Sequence, residues 1–551
     1  MFVKAIQPKP TYCLNLQAWE SLLPWDDPEF QFIIDGIKNG FSIVDQFPDS
    51  EDIVFCENYR SAMSNKMLVE TAIKSEIENG NYIVTKVKPQ ITSALGSVKK
   101  GNNSIRLIHD ASMPTKLCFN RFVKEKSCSY MDLRHACKLI QPNSFLCKVD
   151  LKNAYRSVKI HESNYKLTGL HWKFEGDSES TYFFDTKLPF GAAKSPSIFQ
   201  ALSSAVCRIM KLQNFSVIAY LDDFLIIESS YDKCKCALDK LLGVLRLLGF
   251  HINYNKIEGP SQKLVFLGVL IDTTDMSLSL PQDRLENFQS LLETFNKKRR
   301  ATKRQLESLI GSLNWASPVI QGGRPFLRRI IDFKNSLTAH SDKILLNDNF
   351  FADLKWWLVF MKQFNGKTKI LDDKPITNIQ CDACTEGGGA YFSGDYMYIN
   401  WNIDMPDIYP LHINCKEIII MVLAIFKWSI TLQNKRVLMY TDNMTAKSTI
   451  NKMSSKNSIV MTYLRLLFFV QAYYNFSITA IFIPGKRNIL ADSISRLHQE
   501  NKLSKVYELL PMSLQCVSDS FCIFDLLFHM SYKFVHCRWW SRSKHPRKGC
   551  G

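Results

Sequence analysis

Long apolar runs are missing from this chain. The nearest approach to a membrane span, Ile418–Phe426, stops at Lys427, well short of the about 20 residues a bilayer requires. Met1–Pro10 has no apolar signal core. These two absences predict a soluble protein with no membrane partner, intracellular in the cytoplasm or nucleus. Low-complexity tracts and internal repeats are also absent, which removes the disordered and solenoid classes. The 16 cysteines follow no regular spacing, and Cys147, Cys207 and Cys415 lie inside apolar stretches. That pattern argues against a disulfide scaffold and for reduced, buried thiols. Cys381–Cys384 is a CxxC with no partner pair, and His536, Cys537, His545 and Cys550 cluster without a zinc framework. Acid is in deficit: 69 Lys and Arg stand against 52 Asp and Glu, a formal net charge of +17. A basic surplus spread over a folded chain implies a polyanionic partner.

The 551 residues, 46% hydrophobic and 12% aromatic, suffice for several domains with cores of their own. Residues 1–60 read as a lead-in carrying Trp19, Trp25, Asp26 and Asp27. A helical pattern over 61–80 is followed by strand-like runs at 81–87 and 91–98. A Lys99–Asn103 turn and the run Ser104–Asp110 complete a basic hairpin. Residues 130–272 alternate short strands and helices. Within them Leu264–Ile271 reads as one strand, with Gly268 where another backbone approaches. Residues 283–365 read as mostly helical. Thr302 and Gln305 have capping-box spacing ahead of a helix over Leu306–Trp315, and the basic run Lys297–Arg300 suits either a solvated face or a nucleic-acid backbone.

The chemistry is carried by carboxylates. Tyr220-Leu221-Asp222-Asp223 lies between the apolar runs Val217–Ala219 and Phe224–Ile227, which predicts a hairpin whose tight turn holds both acids. Paired like charges at buried strand ends are costly unless a cation sits there, and hard cations such as Mg²⁺ take carboxylate oxygens while leaving room for phosphates. Upstream, the run Phe145–Val149 delivers a third acid, Asp150. Between them, Leu188-Pro189-Phe190-Gly191 and Ser195-Pro196 form a turn that opens a helix through Phe199-Gln200. A second set begins near residue 375. A strand ends at Asp382, a helix over Ile413–Leu432 carries Glu417, a strand from Arg436 ends at Asp442, and a strand over Ile478–Ile483 leads to a last helix carrying Asp492. Four acids at strand ends and helix starts suit a two-metal site.

In this order and at these spacings, the first set resembles the palm of a reverse transcriptase and the second resembles ribonuclease H. Together, residues 60–500 resemble the reverse transcriptase–ribonuclease H unit of a retrotransposon. The DIRS-like, tyrosine-recombinase group is most similar and a gypsy-like element is next. The segments that carry this are Arg106–Asp110, Leu306–Trp315, Gly323–Arg329, His412–Glu417 and Ile483–Lys486 with Ala491-Asp492 and Ser495-Arg496. The implied fold is α/β and α+β multidomain, a right-hand polymerase of fingers, palm and thumb followed by a ribonuclease H-like mixed-sheet domain. The implied boundaries are 61–275 for fingers and palm, 276–370 for a helical thumb or connection, 371–500 for ribonuclease H, and 501–551 for a tail that reads as truncated or frame-shifted.

The resemblance implies RNA-directed DNA polymerase and ribonuclease H activities with Mg²⁺ or Mn²⁺, two per active site. The implied partners are an RNA template, a DNA primer, an RNA–DNA hybrid and dNTPs. Asp150, Asp222 and Asp223 would hold one metal pair and Asp382, Glu417, Asp442 and Asp492 the other. Tyr155 matches the steric gate, Lys99 and Arg106 the triphosphate clamp, and Phe190 and Gly191 the nucleotide pocket. Leu151 offers backbone to a metal, Tyr220 lies beside the acids, and Lys256 matches the proton donor to pyrophosphate. Leu267-Gly268 would be the primer grip. The sequence departs from whole retroelement polyproteins: it shows no aspartic-protease signature, zinc knuckle or integrase, and no histidine shortly before Asp492. A catalytically inactive, nucleic-acid-binding relic is the alternative, and a DNA-templated polymerase a third; all seven acids being present favours the enzyme.

Overall fold

The computed structural model describes residues 13–46, 53–99, 105–114, 117–124, 130–316, 319, 324–339, 341–364, 367–371 and 375–499. The chain divides into two compact units, Met1–Met276 and Ser277–Gly551. The tip of the basic hairpin (100–104) and the His/Cys cluster of the tail lie outside the described residues.

In the first unit, helix α1 (Leu16–Leu22) starts at Asn15, whose side chain accepts the backbone N–H of Ala18, a standard way to satisfy an orphan donor. Trp19 of α1 is fully buried and donates its indole N–H to the carbonyl of Leu248 at 3.2 Å. With α2 (Phe30–Asn39), these residues join the same core as the acid-bearing strands, so part of the segment read as a lead-in helps to build that core. The helical pattern over 61–80 becomes a short turn at Arg60–Met63 and α3 (Lys66–Glu78). Strands β1 (Leu95–Lys99) and β2 (Ile105–His109) form the expected antiparallel pair, Val98 opposite Arg106.

The central sheet has four strands, all antiparallel. β3 (Phe145–Asp150) lies between β5 (Asp223–Glu228) and β6 (Glu258–Ser261), and β4 (Val217–Tyr220) flanks β5. Helix α4 (Ser195–Leu212), opened by Pro196 in its first turn, packs on β4, and α5 (Tyr231–Leu247), capped by Ser230, packs on β3 and β5. Leu264–Ile271 is not one strand. It is a hairpin of β7 (Lys263–Phe266) and β8 (Val269–Asp272), turned at Leu267 (φ 49°) and Gly268 (φ 79°). Two positive-φ residues make the tight turn whose twist matches antiparallel strands. An unbroken apolar run hides such a turn, because nothing polar marks it.

In the second unit, α6 (Gln282–Asn296), α7 (Lys303–Ala316), α8 (Arg328–Asn335) and α9 (Asp348–Phe364) give the expected helical stretch. The capping box is formed: the N–H of Gln305 donates to Thr302 Oγ1 at 3.2 Å, and the N–H of Thr302 to Gln305 Oε1 at 3.0 Å. Arg300 of the basic run begins a short strand, Arg300–Thr302, paired with Lys343–Leu345. A five-stranded mixed sheet follows. β9 (Pro375–Ala383) is central, with β10 (Gly387–Phe392) and β11 (Asp395–Asn400) antiparallel on one side. On the other side, β12 (Arg436–Thr441) and β13 (Ser477–Phe482) are parallel. Helix α10 (Ile413–Trp428) is buried on almost every face between this sheet and α11 (Ser458–Tyr474). A helix apolar all round suits a buried position; among the described residues no helix is long and apolar enough to cross a membrane. The last helix among the described residues, α12 (Ile489–Ser495), lies against β9 and β10.

Candidate active sites

Strand register assembles the first site. Asp223, at the start of β5, stands directly opposite Asp150 at the end of β3. Asp222 occupies the two-residue turn before it, joined to β3 by the Leu151 N–H donating to its carbonyl at 3.1 Å. Leu221 takes a φ of +53°, a backbone that L side chains adopt at a cost of about 1–3 kcal/mol. Helix α4 holds it there. Gln200 accepts the Leu221 N–H at 2.9 Å and donates to the Ala219 carbonyl at 3.1 Å, and Ser203 donates to the Leu221 carbonyl at 2.6 Å. The segment Leu188–Gln200 thus also supplies the bracket that fixes the acidic turn.

Crowded charge is evident in the titration of these groups. Burial, then Asp222 and Asp150, pushes Asp223 up to about 6; Asp222 is raised by burial and Asp150. Asp150 has both oxygens engaged, Oδ1 by Asn253 Nδ2 and Oδ2 by Lys256 Nζ, each at 2.9 Å. That hydrogen bond raises the Lys256 ammonium.

Three of the residues expected at a nucleotide pocket, Tyr155, Phe190 and Arg106, are brought together. Tyr155 stacks on Phe190 with ring centroids 5.2 Å apart and meets Phe199 at 5.5 Å. The Arg106 guanidinium lies over Phe190 at 5.3 Å. Lys99 stands at the exposed end of β1, opposite Ile105, and is not brought over that ring. A Cβ on Gly191 would lie 1.9 Å from the His109 carbonyl oxygen, so only glycine allows this approach. Asn120 brackets the turn, donating to the Gly191 carbonyl and accepting from the Ala193 N–H. Tyr220 ends β4 with its ring 5.3 Å from that of Tyr130, and the Leu151 side chain is buried in the core.

The second site is tighter. Asp382 on β9, Glu417 on α10 and Asp442 after β12 each offer an oxygen, and these oxygens lie within 4.8 Å of one another. Burial, followed by the neighbouring acids, pushes Glu417 up to about 9. Asp382 rises to about 7, mainly through burial, although Ser495 donates to it at 2.6 Å. Asp442 is also raised by burial. Asp492 does not join the trio. It is partly exposed and pairs with Arg496 at 2.9 Å, yet its charge still reaches Asp382 and Asp442. Glu417 Oε2 is buried with no hydrogen-bond partner in the structure. An oxygen left bare among three acids fits a hard divalent cation, which would satisfy it and cancel the repulsion.

Sequence reading gives no role to Gln200, Ser203, Asn253 or Ser495. The Phe-Gln pair closing the Leu188–Gln200 segment marks Gln200 and the Ser495-Arg496 pair marks Ser495; Ser203 and Asn253 carry no local mark.

Residues 98–271 match the family described as reverse transcriptase (RNA-dependent DNA polymerase). The chain carries a reverse transcriptase domain. The putative enzymatic polyprotein of Cassava vein mosaic virus is 24% identical over 411 residues, covering 68% of this chain and 58% of that protein. Protein P of hepatitis B virus genotype D is 25% identical over 275 residues, covering 46% and 35%. The chain therefore spans little more than half, or less, of these relatives. The foamy viral protease–reverse transcriptase solved with an RNA/DNA hybrid is 15% identical with a TM-score of 0.50, covering 94% of this chain and 66% of that one. That likeness supports the mixed α/β multidomain fold expected from the sequence.

Proposed function

We propose that the protein is an RNA-directed DNA polymerase that extends a DNA primer on an RNA template, and that its second unit cleaves the RNA strand of RNA–DNA hybrids. The observation that carries this is the register setting Asp223 opposite Asp150 with Asp222 in the adjoining turn, inside the segment that matches the reverse transcriptase family. Asp150, Asp222 and Asp223 would hold one pair of Mg²⁺ or Mn²⁺ ions, and Asp382, Glu417 and Asp442, with Asp492 at the rim, a second. Bound there, such ions lower the pKa of the attacking hydroxyl or water and neutralise charge on the phosphoryl group.

The chain's own residues do the rest. Arg106 presents a planar fork suited to a triphosphate. The Tyr155–Phe190 stack forms the floor on which a nucleotide sugar is admitted or refused. Lys256 keeps a proton available for departing pyrophosphate, and Lys99 adds charge at the end of β1 nearest the hairpin's tip. In the second unit, Ser495 orients Asp382. The partners are an RNA template, a DNA primer, hybrid and dNTPs, and the setting is intracellular, in the cytoplasm or nucleus. The DIRS-like assignment, with a gypsy-like element next, rests on the sequence segments named above.

Two variants separate the activities. On a primed RNA template with dNTPs and Mg²⁺, Asp222→Asn/Asp223→Asn abolishes extension and leaves hybrid cleavage. Asp382→Asn/Glu417→Gln abolishes cleavage and leaves extension. No extension by the wild type, with hybrid binding intact, would instead favour a nucleic-acid-binding relic.

A further inference from the structure

Strand β3 has two edges. One pairs with β5 and brings Asp223 to Asp150. Along the other, residues 252–261 run antiparallel, Ile252 bridged to Leu151 and Glu258 opposite Lys148. Between these two points the ladder is interrupted. The N–H of Asn253 donates to the Asp150 carbonyl at 2.9 Å, and Tyr254–Lys256 make one 3-10 turn, closed by the Lys256 N–H on the Asn253 carbonyl. Such interruptions re-aim side chains. Here the result is that Asn253 and Lys256 both reach the Asp150 carboxylate, one on each oxygen.

The two donors are not equivalent. The Lys256 side chain is 60% exposed and that of Asp150 only 13%; the lysine reaches in from solvent on a flexible stem and carries a full charge. Asn253 is anchored by its own backbone to the residue it contacts, and its amide is neutral. A cation held by Asp150 would repel the Lys256 ammonium bound to the same carboxylate and compete with it for the oxygen lone pairs, whereas the neutral Asn253 amide would feel that charge far less.

Resting on the polymerase reading above, we propose that Asn253 is the positioning residue of this metal centre. It fixes the Asp150 carboxylate with and without a cation, while Lys256 is the exchangeable counter-ion that a divalent cation displaces. The two substitutions then act in opposite directions. Loss of a residue that orients a ligand typically costs 10–100-fold in metal affinity, so Asn253→Ala weakens binding by about that factor. Lys256→Ala removes the competitor and tightens binding several-fold, even as it slows nucleotide addition.

The test is a Mn²⁺ titration of the full chain, free of nucleotide and nucleic acid, with free Mn²⁺ read by electron paramagnetic resonance. Asp150→Asn defines the share of binding that belongs to this centre. The expected result is weaker binding in Asn253→Ala and tighter binding in Lys256→Ala, with the Mg²⁺ midpoint of primer extension moving the same way and Asn253→Ala regaining most of its rate at saturating Mg²⁺. If Asn253→Ala fails to fold, the exposed Lys256→Ala variant decides: unchanged or weaker Mn²⁺ binding overturns the exchange. Both variants at wild-type affinity, with binding lost in Asp150→Asn, overturn the positioning role and leave the polymerase reading standing. No loss in Asp150→Asn overturns the metal centre itself.

Discussion

The acidic turn shows what single residues contribute. Leu221 sits in a backbone region that it would avoid alone, and Gln200 and Ser203 make that geometry affordable through three hydrogen bonds. Gln200→Ala leaves the Leu221 N–H and the Ala219 carbonyl unpaired. At about 1–3 kcal/mol for each buried orphan, we expect a loss of roughly 2–4 kcal/mol in urea denaturation together with slower extension; an unchanged midpoint would mean that the hairpin holds itself. His109 gives a pH signature. Burial, with Arg156 nearby, depresses it to about 3, and neither ring nitrogen has a hydrogen-bond partner in the structure. The folded state keeps it neutral while the unfolded chain takes up a proton below its usual 6.5. Stability is therefore full above about 6.5 and falls as pH drops toward 3, by at most about 1.4 kcal/mol per pH unit. His109→Leu should flatten that limb of the stability–pH curve; an identical slope in the variant would show that other groups control it. The closeness of Asp150, Asp222 and Asp223, and of Asp382, Glu417 and Asp442, was legible from acids placed at strand ends and helix starts, and that of Tyr155, Phe190 and Arg106 from the family resemblance; Asp492 stands apart from its set. Asn253 was not legible, because its contact with Asp150 exists only once distant segments are paired, and the Ser495-Arg496 pair did not reveal that Ser495 would bond Asp382.

At the scale of elements, legibility followed periodicity and caps. Helix α7 was readable because Thr302 and Gln305 announce its start, and Thr302→Ala should cost about 1 kcal/mol, read as a shift in the thermal midpoint; no shift would show the strand contact at Arg300–Thr302 to be the stronger anchor. Helix α10 was readable as an apolar stretch, though it ends at Trp428 and not at Leu432, since buried turn residues such as Leu432 extend the pattern beyond the helix. The β7–β8 hairpin was misread because its turn residues, Leu267 and Gly268, sit in a continuous apolar run. Strand β11 and helix α11 have no counterpart in the sequence reading: neither carries an acid of the second cluster, and both contribute to the second unit's core.

For the molecule as a whole, two centres of carboxylates share a chain of net charge +17. On the proposed function, that basic surplus would attract a polyanion. Binding to an RNA–DNA hybrid should therefore weaken steeply with salt, by on the order of 10³-fold or more between 50 and 200 mM if six to ten phosphates are contacted. Affinity that is flat across that range would remove the electrostatic account. The proposed polymerase centre rests on the pairing of β3 with β5. Its most direct test is single-nucleotide incorporation on a primed RNA template by the wild type and Asp223→Asn, with template binding measured in parallel. The account predicts incorporation by the wild type and a loss of at least about 10³-fold in the variant, on the order of 4 kcal/mol of transition-state stabilisation, with binding unchanged. Equal rates in the two proteins would contradict it.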